Sequence, residues 1–222
     1  MRSRASATLT CYLFVYNIAQ ATGWSLCLVS LLIAMSQGAG PQVLIQESGK
    51  FVRVFQLASA MEILHAAIKI VPSSAVLAFM QWAGRSHVLL AILLSVPEVQ
   101  KHAFGPLMLA VWAASEVIRY PWYALNSIDI CPQALTWLRY TAFIPLYPVG
   151  VVCEMALMAL ALPYLKEDGR WSIGMPNKAN IAFEYSTFIQ ALLVCYPFLW
   201  WGLYSSLLRQ RNKKLGKMMK SD

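Results

Sequence analysis

Long apolar stretches, interrupted only by short polar or proline-containing segments, dominate this sequence and limit what it can fold into. A helix needs roughly 20 apolar residues to cross about 30 Å of hydrocarbon. Hydrophobic residues make up 59% of the chain and charged residues 13%, against about 25% charged residues in a soluble domain. We therefore predict an all-α, polytopic membrane helix bundle, surrounded by the lipid bilayer, with residues 1–222 as one domain.

Six of these stretches are candidate transmembrane helices. They cover residues 8–35, 51–71, 87–99, 106–124, 135–162 and 181–208. The third is shorter than a full span and contains Pro97. Basic residues flank both ends, with Arg2 and Arg4 at the start and a short basic tail at about 209–222. Because Lys and Arg mark cytoplasmic flanks, we predict that both termini are cytosolic, which requires an even number of spans.

The charge and the cysteines exclude several other classes of protein. The net charge of +8 comes largely from the terminal tail rather than from a basic face, so no nucleic-acid partner is expected. The five cysteines are an odd number, and they form no CxxC motif and no Cys/His cluster. The sequence therefore predicts neither a disulfide framework nor a metal site.

Ionisable residues within the apolar stretches are the candidate functional residues, because such groups usually face the interior of a bundle. Glu62, His65 and Lys69 in the second stretch share one helical face by their spacing. They either form a self-paired Glu–Lys stripe between helices or line a site. In the fourth stretch, Glu116 and Arg119 can pair within one turn, and this pair is more simply structural.

The fifth stretch has the most regular polar pattern. Tyr140, Tyr147 and Glu154 recur every seven residues, which returns them to nearly the same helical face. Pro145 and Pro148 flank Tyr147, and a proline inside a helix frees a backbone carbonyl. In a membrane the freed carbonyl needs a partner, so such breaks tend to line cavities.

This face has the residue types for acid–base chemistry. A carboxyl group in apolar surroundings exchanges protons more readily near neutral pH, and a phenol can donate to a leaving oxygen. An acid and a base on one face could remove a proton from one carbon while hydroxide leaves the next. The spacing alone is a weak signal for catalysis, because it recurs often by chance.

Five segments together give the chain a resemblance to a known family. They are MEILHAAIKIVPSS at 61–74, SVPEVQ at 95–100, SEVIRYPWYAL at 115–125, WLRYTAFIPLYPVGVVCE at 137–154, and LPY with GMPN within 162–177. Their order and spacing over most of the chain resemble the very-long-chain (3R)-3-hydroxyacyl-CoA dehydratases, once called protein-tyrosine-phosphatase-like. A cysteine phosphatase needs Cys-x5-Arg, and none of the five cysteines has an arginine six residues later.

The resemblance implies a six-span lyase of the endoplasmic reticulum membrane. Such an enzyme removes water from a 3-hydroxyacyl-CoA in the third step of fatty-acid elongation, uses no metal or redox cofactor, and works beside other elongation enzymes. The catalytic Tyr and Glu of the family fall on Tyr147 and Glu154, and both are present. The resemblance does not decide which of the two is the acid and which the base.

A mechanism and two alternatives follow from these observations. We expect Glu154 to handle the C2 proton and Tyr147 to assist loss of the C3 hydroxyl, while Arg119, Arg139 and Lys69 meet the CoA phosphates. One alternative is a catalytically silent family member that acts as a scaffold for other elongation enzymes. The other is a small transporter, although the sequence shows no internal repeat of the kind common in transporters.

Overall fold

The computed structural model describes residues 7–178 and 180–218, and most of these residues form helices. The long helices are α1 (Ala7–Ser36), α2 (Pro41–Ala58), α4 (Ala75–His87), α5 (Phe104–Ser127), α7 (Phe143–Asp168) and α8 (Tyr185–Met218). Two short helices, α3 (Met61–Ala67) and α6 (Gln133–Arg139), precede α4 and α7. A π-helical turn, Val88–Leu93, continues α4, and a 3-10 turn, Val99–Lys101, precedes α5. Within the described residues the extended structure is a single bridge between Ile173 and Phe183, so the predicted all-α class is confirmed.

Four helical segments are long and apolar enough to cross a membrane. They are Ala7–Ser36, Ala75–Leu93, Gln133–Asp168 and Tyr185–Gly216. These segments fit a multi-pass membrane protein. The α2–α3 segment and α5 would complete six spans, but both carry charged residues in their interiors. The count of six and the cytosolic termini therefore stay predictions, and Arg2 and Arg4 lie outside the described residues.

Four of the predicted spans differ from the helices in the structure. The second was predicted to begin at residue 51, but α2 begins at Pro41 and the helix is interrupted between Ala58 and Met61. The third was predicted at 87–99, whereas the helix covers Ala75–Leu93 and ends before Pro97. In α2, the polar residues Gln42, Gln46 and Glu47 near the start of the helix resemble a loop in sequence. In α4, the polar residues Gln81, Arg85 and Ser86 lie in the second half of the helix, and the helix continues through them.

The fifth span, predicted at 135–162, is interrupted between Arg139 and Phe143 and continues to Asp168, and the sixth, predicted at 181–208, is α8 at Tyr185–Met218. The predicted basic tail is helical from residue 209 to Met218.

The core lies around α5, which packs against α1, α2 and α7. α7 in turn packs against α8 and the π-helical turn. The largest fully buried side chains of the core include Trp24, Leu31, Met108, Leu109, Leu157 and Met158. The outer faces are apolar as well, as at Val194 and Phe198 of α8, which are 68% and 77% exposed. Apolar side chains on the outside as well as the inside are typical of a protein that faces lipid.

α1 and α2 cross closely at Gly23. A Cβ atom at this position would lie 2.2 Å from the ring of Phe55 on α2, well inside van der Waals contact. Only glycine leaves room for the ring in this arrangement. The crossing holds the N-terminal half of the bundle together and positions α1 against α5.

Candidate active site

Glu154 of α7 is a buried carboxylate held by donors from two other helices. Its side chain is 7% exposed. One oxygen, Oε1, accepts a hydrogen bond of 2.9 Å from the indole Nε1 of Trp112 on α5. The other, Oε2, accepts from the hydroxyl of Tyr196 on α8. Both donors fix the carboxylate in place, because burying it without partners would be costly.

Tyr147 lies two turns before Glu154 on the same helix, beside α8. Its ring is half-buried and contacts the rings of Trp200 and Tyr204, with centroids 6.3 and 6.1 Å away. Its hydroxyl makes no hydrogen bond to the residues that the structure describes. We call Tyr147, Glu154, Trp112 and Tyr196 the carboxyl site.

The proline next to Tyr147 has the effect on the backbone that the sequence predicts. Pro148 has no N–H, so the carbonyl of Ile144 four residues earlier lacks its usual helical partner. The hydroxyl of Tyr204 on α8 donates to this carbonyl at 3.3 Å. The break in α7 is therefore bridged by α8 at the level of Tyr147.

The spacing of the two predicted catalytic groups leaves room between them. Seven residues of helix correspond to roughly 10 Å along the axis, at 1.5 Å per residue. Tyr147 and Glu154 do not hydrogen-bond to each other, because the two oxygens of Glu154 accept from Trp112 and Tyr196. The reacting carbons of a substrate could therefore lie between a free hydroxyl and a fixed carboxylate.

A cluster of four charged side chains lies beside the carboxyl site. Glu116 is 3% exposed and accepts from Arg85 Nη1 and from Arg119 Nε, both at 2.5 Å. Arg119 also donates to both oxygens of Glu62, at 2.8 and 3.0 Å, and the hydroxyl of Tyr120 donates to Glu62 as well. The predicted pair of Glu116 and Arg119 is thus present, within a larger charge cluster of Glu62, Arg85, Glu116 and Arg119.

Glu62, His65 and Lys69, predicted to share one helical face, do not act together in the structure. α3 ends at Ala67, and Lys69 follows in a left-handed conformation with φ of 61°, exposed to the surroundings. Glu62 binds Arg119 and not Lys69, so a self-paired Glu–Lys stripe is wrong. The buried His65 contacts α1 instead, where its Nε2 lies 2.8 Å from the hydroxyl of Tyr12.

Tyr140 and Arg139 lie away from the carboxyl site. The helix is interrupted between Arg139 and Phe143, so Tyr140 stands in a turn rather than on the same continuous face as Glu154. The Tyr140 ring contacts Trp122 at 5.8 Å, and the Arg139 guanidinium lies 5.9 Å from the rings of Tyr123 and Tyr140. The predicted seven-residue stripe therefore brings together only Tyr147 and Glu154.

Three residues of this region were missed in the sequence. Arg85 fell outside the predicted spans because the third span was placed too late in the chain. With α4 starting at Ala75, Arg85 becomes an ionisable residue within an apolar helix, which is itself a signal of function. Trp112 and Tyr196 gave no comparable signal, because aromatic residues are common in such helices.

Within the described residues, no group of three His, Cys, Asp or Glu side chains is arranged to bind a metal ion.

Comparison with known proteins places the sequence of this chain in a family. The family described as "Protein tyrosine phosphatase-like protein, PTPLA" matches residues 56–217. Very-long-chain (3R)-3-hydroxyacyl-CoA dehydratase 2 of Mus musculus is 36% identical over 206 residues, which cover 93% of this chain and 81% of the relative.

Two further relatives give the same result. Dehydratase 1 of Canis lupus familiaris is 35% identical over 96% of this chain and 86% of its own length. Dehydratase 3 of Mus musculus is 32% identical over 94% of this chain and 58% of its own length. No solved structure matches the chain. The resemblance is thereby confirmed, and the chain belongs to the protein tyrosine phosphatase-like family that includes the very-long-chain (3R)-3-hydroxyacyl-CoA dehydratases.

Proposed function

We propose that this protein dehydrates (3R)-3-hydroxyacyl-CoA to trans-2-enoyl-CoA, the third step of very-long-chain fatty-acid elongation. Membership of the family and the names of the relatives support the reaction class, a hydro-lyase. The observation that carries the proposal is the carboxyl site itself. It combines a buried carboxylate, fixed by two donors, with a tyrosine hydroxyl that has no partner among the described residues.

The hydrogen bonds of Glu154 favour its role as the base. Oε1 accepts from an indole N–H, which can only donate, so this oxygen carries no proton towards Trp112. Each carboxylate oxygen retains a second lone pair that can accept a proton from substrate. Tyr147, with its hydroxyl unpaired, is the better placed of the two to donate a proton to the departing oxygen.

The proposed reaction then balances as follows. Glu154 takes the proton from C2, and the electron pair of that C–H bond forms the C2–C3 double bond. The C3–O bond breaks, and the oxygen takes the proton of the Tyr147 hydroxyl and leaves as water. Return of the proton from Glu154 to the Tyr147 phenolate restores both groups. Elimination leaves the overall oxidation level unchanged, so the reaction needs no redox cofactor. We propose that it needs no metal either, because Tyr147 and Glu154 supply the acid and the base.

The cationic residues expected to meet the CoA phosphates are not equivalent. Arg119 already binds two carboxylates, which leaves it little capacity for a phosphate. Arg139 has a buried Nε with no partner among the described residues, and Lys69 is exposed. We therefore favour Arg139 and Lys69 over Arg119 for the CoA head group.

We also propose that the protein has six spans with both termini cytosolic, and that it works in the endoplasmic reticulum membrane beside other elongation enzymes.

Conservative substitutions in the purified protein, reconstituted in liposomes with a 3-hydroxyacyl-CoA, test this function. Tyr147→Phe and Glu154→Gln should each lower kcat by about 10²- to 10⁴-fold, the usual contribution of an acid or base. Tyr164→Phe and Glu167→Gln make the same chemical changes at exposed positions of the same helix and should keep the wild-type rate.

Two outcomes would contradict the proposal. If Tyr147→Phe and Glu154→Gln both turn over at the wild-type rate, the pair is not catalytic. If the wild-type protein itself shows no turnover of any chain length, the chain is a silent scaffold rather than an enzyme.

A further inference from the structure

Arg85 of α4 has two buried hydrogen-bond donors without a partner. Its Nη1 binds Glu116, but Nε and Nη2 make no hydrogen bond to any described residue and both atoms are buried. A buried donor left without a partner is destabilising, so its presence calls for an explanation. A ligand that binds at this position would supply one.

The two free donors lie on the same edge of the guanidinium. Nε–H and Nη2–H are nearly parallel in the planar group and point outward together, an arrangement that suits an oxygen acceptor. The ring of Trp112 lies 4.3 Å from the guanidinium and Trp24 lies 5.5 Å away, so aromatic rings limit its orientation. The edge is therefore already positioned before any ligand arrives.

This edge belongs to the surroundings of the carboxyl site. Trp112 connects them, because the indole that packs on Arg85 also donates its N–H to Glu154. A substrate that reaches the catalytic pair thus comes within range of the free edge.

The charges favour a neutral oxygen over a phosphate as the acceptor. Arg85 is already compensated by Glu116, and the charge cluster holds two arginines and two glutamates, so it is neutral as a whole. A neutral carbonyl fits such an environment and can be stabilised further if it gains negative charge during the reaction. In a 3-hydroxyacyl-CoA, the thioester carbonyl is one bond from C2, whereas the phosphates lie at the far end of the pantetheine arm.

We propose that the Nε/Nη2 edge of Arg85 binds the thioester carbonyl oxygen of the substrate. Arg85 forms and breaks no covalent bond. When Glu154 takes the C2 proton, negative charge gathers on the carbonyl oxygen, and the two N–H groups stabilise it until the C3 oxygen takes the proton of Tyr147 and leaves as water. This inference rests on the proposed dehydratase function and adds a third catalytic group to Tyr147 and Glu154.

Two substitutions at Arg85 test the proposal, with Arg53→Gln at an exposed position of α2 as the control. Arg85→Lys keeps a positive charge for Glu116 but loses the two-donor edge, and Arg85→Gln loses both. We expect kcat to fall about 10²- to 10³-fold in Arg85→Gln, as for loss of an oxyanion donor, and at least tenfold in Arg85→Lys. KM should change by less than about fivefold in Arg85→Lys, because the contact strengthens in the transition state.

Two substrate analogues separate this role from a structural one. An inert ketone analogue keeps the carbonyl, and the matching analogue with CH2 at that position lacks it. The wild-type protein and Arg53→Gln should bind the ketone about tenfold more tightly than the CH2 analogue, whereas Arg85→Lys should lose most of this preference. A preference unchanged in Arg85→Lys would overturn the proposal even if kcat falls.

A substrate without phosphates distinguishes binding of the thioester carbonyl by Arg85 from binding of the CoA head group. With a 3-hydroxyacyl-pantetheine thioester, the loss of kcat in Arg85→Lys should be the same as with the CoA substrate. If the loss disappears, Arg85 binds phosphate and the proposal is wrong. A wild-type rate in Arg85→Lys, beside inactive Tyr147→Phe and Glu154→Gln, overturns the role of Arg85 alone. Absence of turnover in the wild-type protein overturns both proposals.

Discussion

Glu116 should be essential to the stability of the bundle, and Glu116→Gln measures by how much. Glu116 is 3% exposed and binds two arginines at 2.5 Å each. Glutamine keeps the shape but removes the charge, so the charge cluster would hold two arginines and one glutamate, a net charge of +1. Removing one partner from a buried ion pair typically costs about 3–5 kcal/mol, because the remaining charge stays buried and uncompensated.

The melting temperature in detergent micelles gives a direct measure of this loss. For a chain of 222 residues, about 1 kcal/mol corresponds to a shift of about 2–4 °C, so Tm should fall by roughly 6–20 °C. Glu47→Gln is the matched control. Its pair with Lys50, at 3.1 Å, is on the surface with side chains 52% and 60% exposed, and its loss should cost at most about 1 kcal/mol.

A second substitution tests whether net charge is the cause. The double variant Glu116→Gln with Arg119→Gln leaves one arginine and one glutamate in the cluster and should be more stable than the sum of the two single effects predicts. Strict additivity would mean that net charge is not responsible. If Glu116→Gln melts within about 2 °C of the wild-type protein, the arginines are stabilised by other means and the reasoning is refuted.

Two other substitutions test contacts between helices. Tyr196→Phe removes one donor to the buried carboxylate and should lower kcat about 10- to 150-fold, from about 1.5–3 kcal/mol for a hydrogen bond to a charged group. Tyr204→Phe, which loses a 3.3 Å bond to a backbone carbonyl, is the control and should lose less than tenfold. Gly23→Ala would force the ring of Phe55 to move and should lower Tm, whereas Gly84→Ala, with open space around it, should not. Equal melting temperatures for the two alanine variants would contradict the close crossing.

Much of the fold could be predicted because a helix that faces lipid must consist mainly of apolar residues. The apolar stretches of α1 and α5 agree with the helices to within a few residues. The errors in the second and third spans occurred where polar side chains enter a helix, near the start of α2 and in the second half of α4. Glu47 and Lys50 of α2 form an exposed pair, and they resemble a loop in the sequence. Hydropathy alone does not separate a charged helix end from a loop.

The candidate site was only partly predictable for a different reason. Helical periodicity reports which residues share a face of one helix, and Tyr147 and Glu154 do lie on one continuous helix, α7. Periodicity does not report which helices are neighbours, so Trp112 and Tyr196 could not be linked to Glu154. The same limit explains Glu62, whose partner Arg119 lies 57 positions later in the chain. Pairing between helices becomes visible only in three dimensions.

The charge cluster also has a consequence for the order in which this protein is made. Glu62 and Arg85 emerge first during synthesis, and they do not bind each other in the finished structure. Both of their partners, Glu116 and Arg119, lie on α5, which emerges later. The first four helices therefore carry an unmatched acid and an unmatched base until α5 joins them. Arrival of α5 is therefore the step that supplies the native partners of both side chains.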